Sequence, residues 1–185
     1  MFRVLDLILS SIGLLILWPI MLFLLLIGLI DTGMPLYRQE RIGRYKITFT
    51  LIKFRTMNID TPSIATHLAN KDAVTRLGHF LRKTKFDELP QLLNVLKGEM
   101  SLVGPRPGLS NQIELTIARE KLKIFNVKPG ITGLAQIRNI DMSTPQLLAK
   151  TDAEMISSMS LKNYFKYIFL TFLGKGQGDG VRTNY

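Results

Sequence analysis

The 185-residue chain contains no cysteine, one tryptophan, two histidines, and 14 acidic residues against 24 lysines and arginines. The lack of cysteine excludes disulfides and thiolate metal sites, and it fits an active domain in the reducing cytoplasm. His67 and His79 lack the spacing of metal ligands, so we assign them no role. A chain of this length builds one hydrophobic core, so we expect a single catalytic domain with appendages.

The shortage of acidic side chains is greatest in residues 36–85, where eleven basic and three acidic residues give a local charge of +8. This basic segment follows the most apolar part of the chain. The arrangement suits a protein that lies on anionic lipid headgroups and binds an anionic substrate. Nucleic acid is not expected as a partner, because a nucleic-acid binder has no use for a long apolar leader.

Residues 7–30 carry no charged side chain and are bracketed by Asp6 and Asp31. A straight helix over this run would reach roughly 36 Å, enough to cross a hydrocarbon core of about 30 Å. Pro19, near its middle, lacks an N–H and clashes with the preceding turn, so we expect a break or strong kink there. Each half would then be too short to cross, and the residues alone leave a spanning helix and a re-entrant helix equally open.

The rest of the chain predicts a small β-hairpin followed by several amphipathic helices. Two β-leaning runs, residues 36–40 and 45–54, flank a turn with a glycine. Helices are expected over residues 73–81, 87–96, 110–125, 144–158 and 161–173. The last of these is rich in large aromatic side chains, so we expect it to lie in a membrane interface.

Residues 86–107 contain the groups needed to act on a diphosphate. Asp87 and Glu88 stand at the start of a predicted helix, and Arg106 follows it between two prolines. Two carboxylates, a fixed cation and many basic residues upstream provide a nucleophile, a metal ligand and charge neutralisation. Taken alone, an Asp-Glu pair at a helix start is more often an N-cap than a catalytic pair.

The long ordered string at 86–107 resembles the signature of the monotopic bacterial sugar transferases. These are polyprenol-phosphate phosphoglycosyl transferases, which begin glycan assembly on a lipid carrier. The resemblance continues in residues 53–57, Lys-Phe-Arg-Thr-Met, and in residues 128–136, Lys-Pro-Gly-Ile-Thr-Gly-Leu-Ala-Gln. It covers most of residues 1–140.

The resemblance implies an α+β monotopic membrane enzyme. A re-entrant membrane helix would occupy residues 1–35, and a cytoplasmic catalytic domain with interfacial helices would occupy residues 36–185. The protein would lie in the bacterial inner membrane with its active site on the cytoplasmic face. The family breaks its re-entrant helix at a Ser-Pro pair, whereas this chain has Trp18-Pro19.

The resemblance also implies a reaction in two steps. Asp87 would attack the β-phosphate of a UDP-sugar and release UMP, and a polyprenol phosphate would then take the phosphosugar from the enzyme. Glu88 would help hold the metal, or orient and deprotonate the lipid phosphate. Mg²⁺ is the expected cofactor, bound by Asp87 and Glu88, because it prefers carboxylate and phosphate oxygens. Adjacent residues on a helix project about 100° apart, so the two carboxylates are not expected to share one task.

Six further residues are predicted to bind substrate: Lys53, Arg55, Arg82, Arg106, Gln136 and Arg138. Several family members continue past Ala-Gln with Asn-Gly-Arg, whereas Ile137 and Arg138 follow here. The expected partners are a UDP-sugar, polyprenol phosphate and membrane lipid, and a homodimer is left open. Two alternatives are a membrane-anchored, non-catalytic binding protein and a transferase that acts by single displacement.

Overall fold

The computed structural model describes residues 2–61 and 71–176. The fold is α+β, as the sequence predicts, with two small two-stranded sheets among the helices. The helices are α1 (Phe2–Thr32), α2 (Arg76–Thr84), α3 (Gln91–Lys97), α4 (Ile113–Lys121), α5 (Leu134–Ile137), α6 (Pro145–Ser157) and α7 (Leu161–Phe172). The strands are β1 (Leu36–Ile42), β2 (Thr48–Phe54), β3 (Ser101–Val103) and β4 (Gly130–Thr132).

The predicted hairpin is confirmed, because β1 and β2 pair antiparallel from Leu36 with Phe54 to Ile42 with Thr48. A second, parallel pair joins β3 and β4, with Ser101 opposite Gly130. This pair was not predicted, since each of its strands has only three residues and carries no periodic signal. It joins the two segments, 86–107 and 128–136, that carry much of the family resemblance.

Helix α1 runs unbroken through Pro19, so a break there is wrong, while a kink at Pro19 stays a prediction. A proline removes one N–H donor from the helix, and flanking hydrogen bonds in an apolar helix tolerate that loss. Among the described residues, α1 is the one helix long and apolar enough to cross a membrane. Its outward side is apolar, with Leu15 74%, Ile16 66% and Trp18 57% exposed.

Both ends of α1 contact the rest of the domain. Near its start, Arg3 donates to the carbonyls of Val95 and Leu96 at the end of α3, at 2.5 and 3.0 Å. Near its end, the carboxylate of Asp31 accepts a hydrogen bond from the Thr75 hydroxyl at 2.7 Å. The helix is therefore fastened at both ends to one compact body.

Apolar clusters complete this attachment. Phe2, Leu5 and Leu9 pack against a buried cluster that contains Val103 and Tyr164. Further along α1, Leu24 is itself buried, in a cluster with Phe54 and Leu81. One stripe of α1 thus faces the domain along most of the helix, while the opposite stripe stays exposed.

The helix that was expected to begin at Asp87 begins later. Asp87 and Glu88 lie in a 3-10 helix, Phe86–Glu88, and α3 starts at Gln91. Pro90 precedes α3 with φ −61°, the angle that its ring imposes and that suits a helix start. Similarly, α2 starts at Arg76 because the Thr75 hydroxyl caps it by accepting from the Gly78 N–H at 2.9 Å. Much of the loop predicted over residues 58–71 lies outside the described residues.

Candidate active site

The two adjacent carboxylates are buried, with 8% of Asp87 and 9% of Glu88 exposed. The N-cap residues of the 3-10 helix and of α3 are Lys85 and Pro90, so neither carboxylate occupies an N-cap position. Side chains on a 3-10 helix project about 120° apart. The two carboxylates therefore point in different directions in a 3-10 helix as well, which agrees with the prediction that they have separate tasks. Burying two carboxylates is costly unless cations compensate them, so the surrounding charges decide what the pair can do.

Arg106 provides one such cation. Its Nη2 donates to Oε1 of Glu88 at 2.8 Å, and 19% of the arginine side chain and 11% of the glutamate side chain are exposed. Arg106 is only half-buried, while Pro105 and Pro107 on either side are buried. The guanidinium is thus held at the edge of the site, where it contacts Glu88.

The chain around Arg106 is fixed by close backbone packing against β4. The Gly104 N–H donates to the Thr132 carbonyl at 2.8 Å, and the Gly130 N–H donates to the Pro105 carbonyl at 2.9 Å. A Cβ on Gly130 would lie 2.0 Å from the Gly104 nitrogen. Only glycine permits this approach, which explains why both Gly104 and Gly130 are needed where the two segments meet.

Lys85 is the second cation at the site. It ends α2 in the left-handed conformation, with φ 60° and ψ 17°, which non-glycine residues seldom adopt. Burial lowers the pKa of Lys85; Glu88 and Asp87 oppose this effect, while Arg106 adds to it. Its Nζ donates to the Lys175 carbonyl at 2.8 Å. The two carboxylates therefore interact electrostatically with a lysine whose pKa is lower than usual.

The segment 53–57 also approaches the site. Arg82, on α2, donates from Nε to the Thr56 hydroxyl at 2.9 Å. Lys53 and Arg55 lie on the same face of the strand end, and both approach the Tyr37 ring, with Nζ and Cζ at 5.6 and 5.4 Å from its centroid. Phe54 packs in the cluster that includes Phe86, the residue before Asp87. Segment 53–57 and the acidic pair are thus neighbours in the fold.

The two remaining predicted residues, Gln136 and Arg138, differ in their surroundings. Gln136 lies in α5, and within the described residues neither polar atom of its buried side-chain amide has a hydrogen-bond partner. Arg138 is exposed and forms a two-pronged ion pair with Glu154, at 2.6 and 2.7 Å. Of these two residues, Gln136 is the one with unused polar atoms inside the protein.

The expected magnesium ion is compatible with the donors at the site. Asp87 and Glu88 offer only oxygen ligands, as Mg²⁺ prefers, and Mg²⁺ commonly needs one or two carboxylates besides phosphate and water. No group of three metal-ligating side chains occurs in the described part of the chain. The donor set therefore fits an ion completed by substrate oxygens better than a metal held by protein alone.

A buried ion pair that was not predicted from the sequence lies behind Arg106. Arg119 on α4 donates from Nε and Nη2 to Oδ2 of Asp152 on α6, at 3.0 and 2.7 Å. Its Nη1 donates to the Arg106 carbonyl at 2.8 Å. A signal was available, because Arg119 follows buried Ala118 on α4 and Asp152 lies between buried Ala149 and Met155 on α6. A charge on the apolar stripe of each helix indicates a buried pair.

The family model described as "Bacterial sugar transferase" matches residues 1–176. A UDP-glucose:undecaprenyl-phosphate glucose-1-phosphate transferase of Caulobacter vibrioides is 38% identical over 91% of this chain and 67% of its own length. A UDP-galactose-lipid carrier transferase of Erwinia amylovora is 35% identical over 84% of this chain and 36% of its own. An undecaprenyl-phosphate galactose phosphotransferase of Salmonella typhimurium is 33% identical over 91% of this chain and 39% of its own.

The chain spans less than half the length of the last two of these relatives. The family match, in contrast, runs through α1, the hairpin, the carboxylate pair and the helices that follow. This chain belongs to the bacterial sugar transferase family.

Proposed function

We propose that this protein transfers a phosphosugar from a UDP-sugar to undecaprenyl phosphate, yielding a lipid-linked diphosphosugar and UMP. The observation that carries the proposal is the buried Asp87–Glu88 pair, with Arg106 on Glu88 and Lys85 beside both. The names of the three relatives support the substrate class. They name glucose or galactose, so the sugar that this chain uses is left to experiment.

In the first step, a carboxylate oxygen of Asp87 attacks the β-phosphorus of the UDP-sugar. The bond between that phosphorus and the bridging oxygen breaks, and UMP leaves with the bond's electron pair. A carboxylate can attack a diphosphate only when their mutual repulsion is cancelled. Arg106 and Lys85 are the cations placed to supply this charge, and Arg106 also fixes the direction of Glu88.

In the second step, a phosphate oxygen of the polyprenol attacks the same phosphorus. The bond to Asp87 breaks, which restores the carboxylate and leaves the sugar on a lipid diphosphate. Glu88 is adjacent and points elsewhere, so it is suited to orienting the lipid phosphate or accepting its proton. Asp87 and Glu88 are also the residues that would hold Mg²⁺, which supplies charge neutralisation at the phosphates when bound.

The membrane arrangement we propose is monotopic, in the bacterial inner membrane with the active site on the cytoplasmic side. A straight helix of 31 residues would extend about 46 Å, and a spanning one would place its two ends on opposite sides of the bilayer. Hydrogen bonds instead join both ends of α1 to one domain. An exposed apolar stripe on α1 would then enter a single leaflet, and the lipid phosphate would meet the soluble nucleotide at the surface.

The covalent step can be tested with UDP-sugar and Mg²⁺ in the absence of lipid. UMP should appear in an amount equal to the enzyme, and the protein mass should rise by one phosphosugar. The adduct should disappear on addition of undecaprenyl phosphate. Asp87→Asn keeps the size of the side chain but lacks the anionic nucleophile, so the variant should fold and form no adduct.

Glu88→Gln is the matched variant at the neighbouring position, and it should impair turnover while retaining some adduct. An adduct that persists in Asp87→Asn would remove Asp87 as the nucleophile. If UMP appears only when both substrates are present, the reaction is a single displacement. A complete lack of UMP across a panel of UDP-sugars with lipid would favour a non-catalytic binding protein.

A further inference from the structure

We propose that the buried Arg119–Asp152 pair is a positioning device for Arg106, and that it sets the turnover rate without contacting substrate. Arg119 reaches the Arg106 carbonyl at 2.8 Å, and Asp152 fixes the direction of Arg119. The inference rests on the proposed function, because it assigns Arg106 a part in turnover.

Residues 105–108, which include Arg106, form no helix or strand, and yet a donor holds each of their four carbonyls. Pro105 accepts from the Gly130 N–H at 2.9 Å, and Pro107 accepts from Nη1 of buried Arg41 at 3.0 Å. Gly108 accepts from the Ile42 N–H at 3.0 Å. The Arg106 carbonyl lies between these and depends on Arg119. These donors come from β4, β1 and α4, so the loop is held from several directions.

Stability alone does not account for this buried ion pair. Arg119 is 3% exposed and Asp152 is 1% exposed, and taking two charges out of water costs several kcal/mol per ion. Apolar residues of similar volume often stabilise a core equally well. Moreover, Oδ1 of Asp152 has no hydrogen-bond partner within the described residues. A planar guanidinium with three donors in use does what an apolar pair cannot, because it orients a backbone carbonyl.

The arrangement of the donors on Arg119 supports this interpretation. Nε and Nη2 both bond to Oδ2 of Asp152, which leaves Nη1 directed at the loop. Burial raises the pKa of Asp152, and the charge of Arg119 opposes this effect. The charge of Arg119 therefore favours the ionised form of Asp152, and Asp152 in turn fixes the orientation of Arg119. A displacement of about 1 Å in a catalytic group can cost about a hundredfold in rate, so a small loss of orientation should be measurable.

The test is a double-mutant cycle between Arg119→Lys and Arg106→Ala, with UMP release measured in the presence of lipid acceptor. Lysine keeps the charge of Arg119 but lacks the fork of donors. If Arg119 acts through Arg106, Arg119→Lys should lower kcat about tenfold or more in the wild-type background. In the Arg106→Ala background the same change should lower kcat less than twofold, because the group being positioned is gone.

Equal fold-changes in the two backgrounds would overturn the inference and leave the pair a purely structural element. The matched control is Glu120→Gln, because Glu120 is the next residue on α4 and forms an exposed ion pair with Lys46. This control should leave kcat unchanged in both backgrounds. Each variant is assayed below the midpoint of its own thermal unfolding. If Arg119→Lys does not fold, Asp152→Asn replaces it in the cycle, because asparagine keeps the shape of the pair.

The outcomes separate this inference from the proposed function. If the wild-type enzyme releases no UMP, the proposed function fails. If the wild type is active and the two substitutions act independently, the proposed function stands and only the positioning role is lost. The KM for the UDP-sugar should change less than kcat in Arg119→Lys, because a misdirected Arg106 affects the transition state more than ground-state binding.

Discussion

The carboxylate of Asp6 accepts a hydrogen bond from the Tyr164 hydroxyl at 2.8 Å, which joins the first turns of α1 to α7 across 158 residues. The same oxygen accepts from the Ser101 hydroxyl and the Leu102 N–H, each at 2.9 Å. Burial raises the pKa of Tyr164, so its hydroxyl keeps the proton that it donates. A charged residue at the edge of an apolar helix thus serves as the acceptor that fastens the helix to the domain.

Replacing Asp6 with leucine should therefore destabilise the protein by about 3 kcal/mol or more. Three donors, two of them in buried hydrogen bonds, would lose their acceptor, and each unsatisfied buried donor costs about 1–3 kcal/mol. Asp6→Asn keeps an oxygen at the same place and should cost less. The measurement is thermal unfolding in detergent micelles, with Glu114→Gln, at an exposed position of α4, as a control that should stay within about 0.5 kcal/mol. Equal losses for leucine and asparagine would show that these hydrogen bonds contribute little.

The attachment of both ends of α1 also predicts the membrane topology. A cysteine added before Met1 and a cysteine at the exposed position 120 should react with a charged thiol reagent from the same side of sealed vesicles. The chain has no native cysteine, so the background is clean. A cysteine in place of Leu15, on the outward stripe of α1, should be protected from both sides. Labelling of the first two cysteines from opposite sides would establish a spanning helix.

The half-buried Lys85 predicts the alkaline side of the pH profile. Its pKa is lowered from the ordinary value of 10.5, so its charge is lost at lower pH than that of an exposed lysine. Because the cation compensates the anionic site, turnover should fall with rising pH through this lowered value. Arginine stays charged throughout, so Lys85→Arg should move the fall to higher pH.

The same substitution at the exposed Lys97 is the control, and Lys97→Arg should leave the pH profile unchanged. The contribution of Lys85 to the stability of the fold has the opposite pH dependence from turnover. Between the lowered pKa of folded Lys85 and its ordinary value, the unfolded chain binds more protons than the folded one, so the contribution of Lys85 to stability rises with pH. A kcat profile that does not move in Lys85→Arg would remove Lys85 from the charge balance of the site.

The sequence predicted the elements whose signals are local. The hairpin follows from two β-leaning runs around a turn, and α6 follows from Pro145 at its first position. The end of α3 follows from Gly98, which has φ +88°. Asp87 and Glu88 were identified because they form part of a long ordered string. Their placement on a 3-10 helix was missed, since one turn of 3-10 helix and one of α-helix have the same local pattern.

What could not be predicted depends on contacts between distant residues. Arg119 and Asp152 each stand on the apolar stripe of a helix, which indicates burial, but they are 33 residues apart and nothing in the sequence pairs them. The continuity of α1 through Pro19 was not predicted either, because the loss of one hydrogen bond at a proline does not decide whether a helix of 31 residues forms around it. The meeting of β3 and β4 likewise depends on two three-residue strands that carry no periodic signal.

The close approach of Gly104 and Gly130 gives a final prediction, for Gly130→Ala. The added Cβ would lie 2.0 Å from the Gly104 nitrogen, and backbone cannot move aside as a flexible side chain can. Relief of this clash would separate β3 from β4 and shift the Pro105 carbonyl that Gly130 holds. We expect a loss of about 3 kcal/mol or more in unfolding free energy, and a fall in turnover of at least about tenfold even below the unfolding midpoint.

Gly13→Ala is the matched control, because the added Cβ there would meet the tip of the Leu92 side chain at 3.3 Å. A side chain can yield by a few tenths of an ångström, and alanine favours the helical conformation of α1, so this variant should unfold within about 1 kcal/mol of the wild type. Thermal unfolding and UMP release, measured on both variants in the same micelles, provide the comparison. If Gly130→Ala retained wild-type turnover, the position of the Arg106 loop would not depend on the contact between β3 and β4, and its fixed placement beside Glu88 would need another cause.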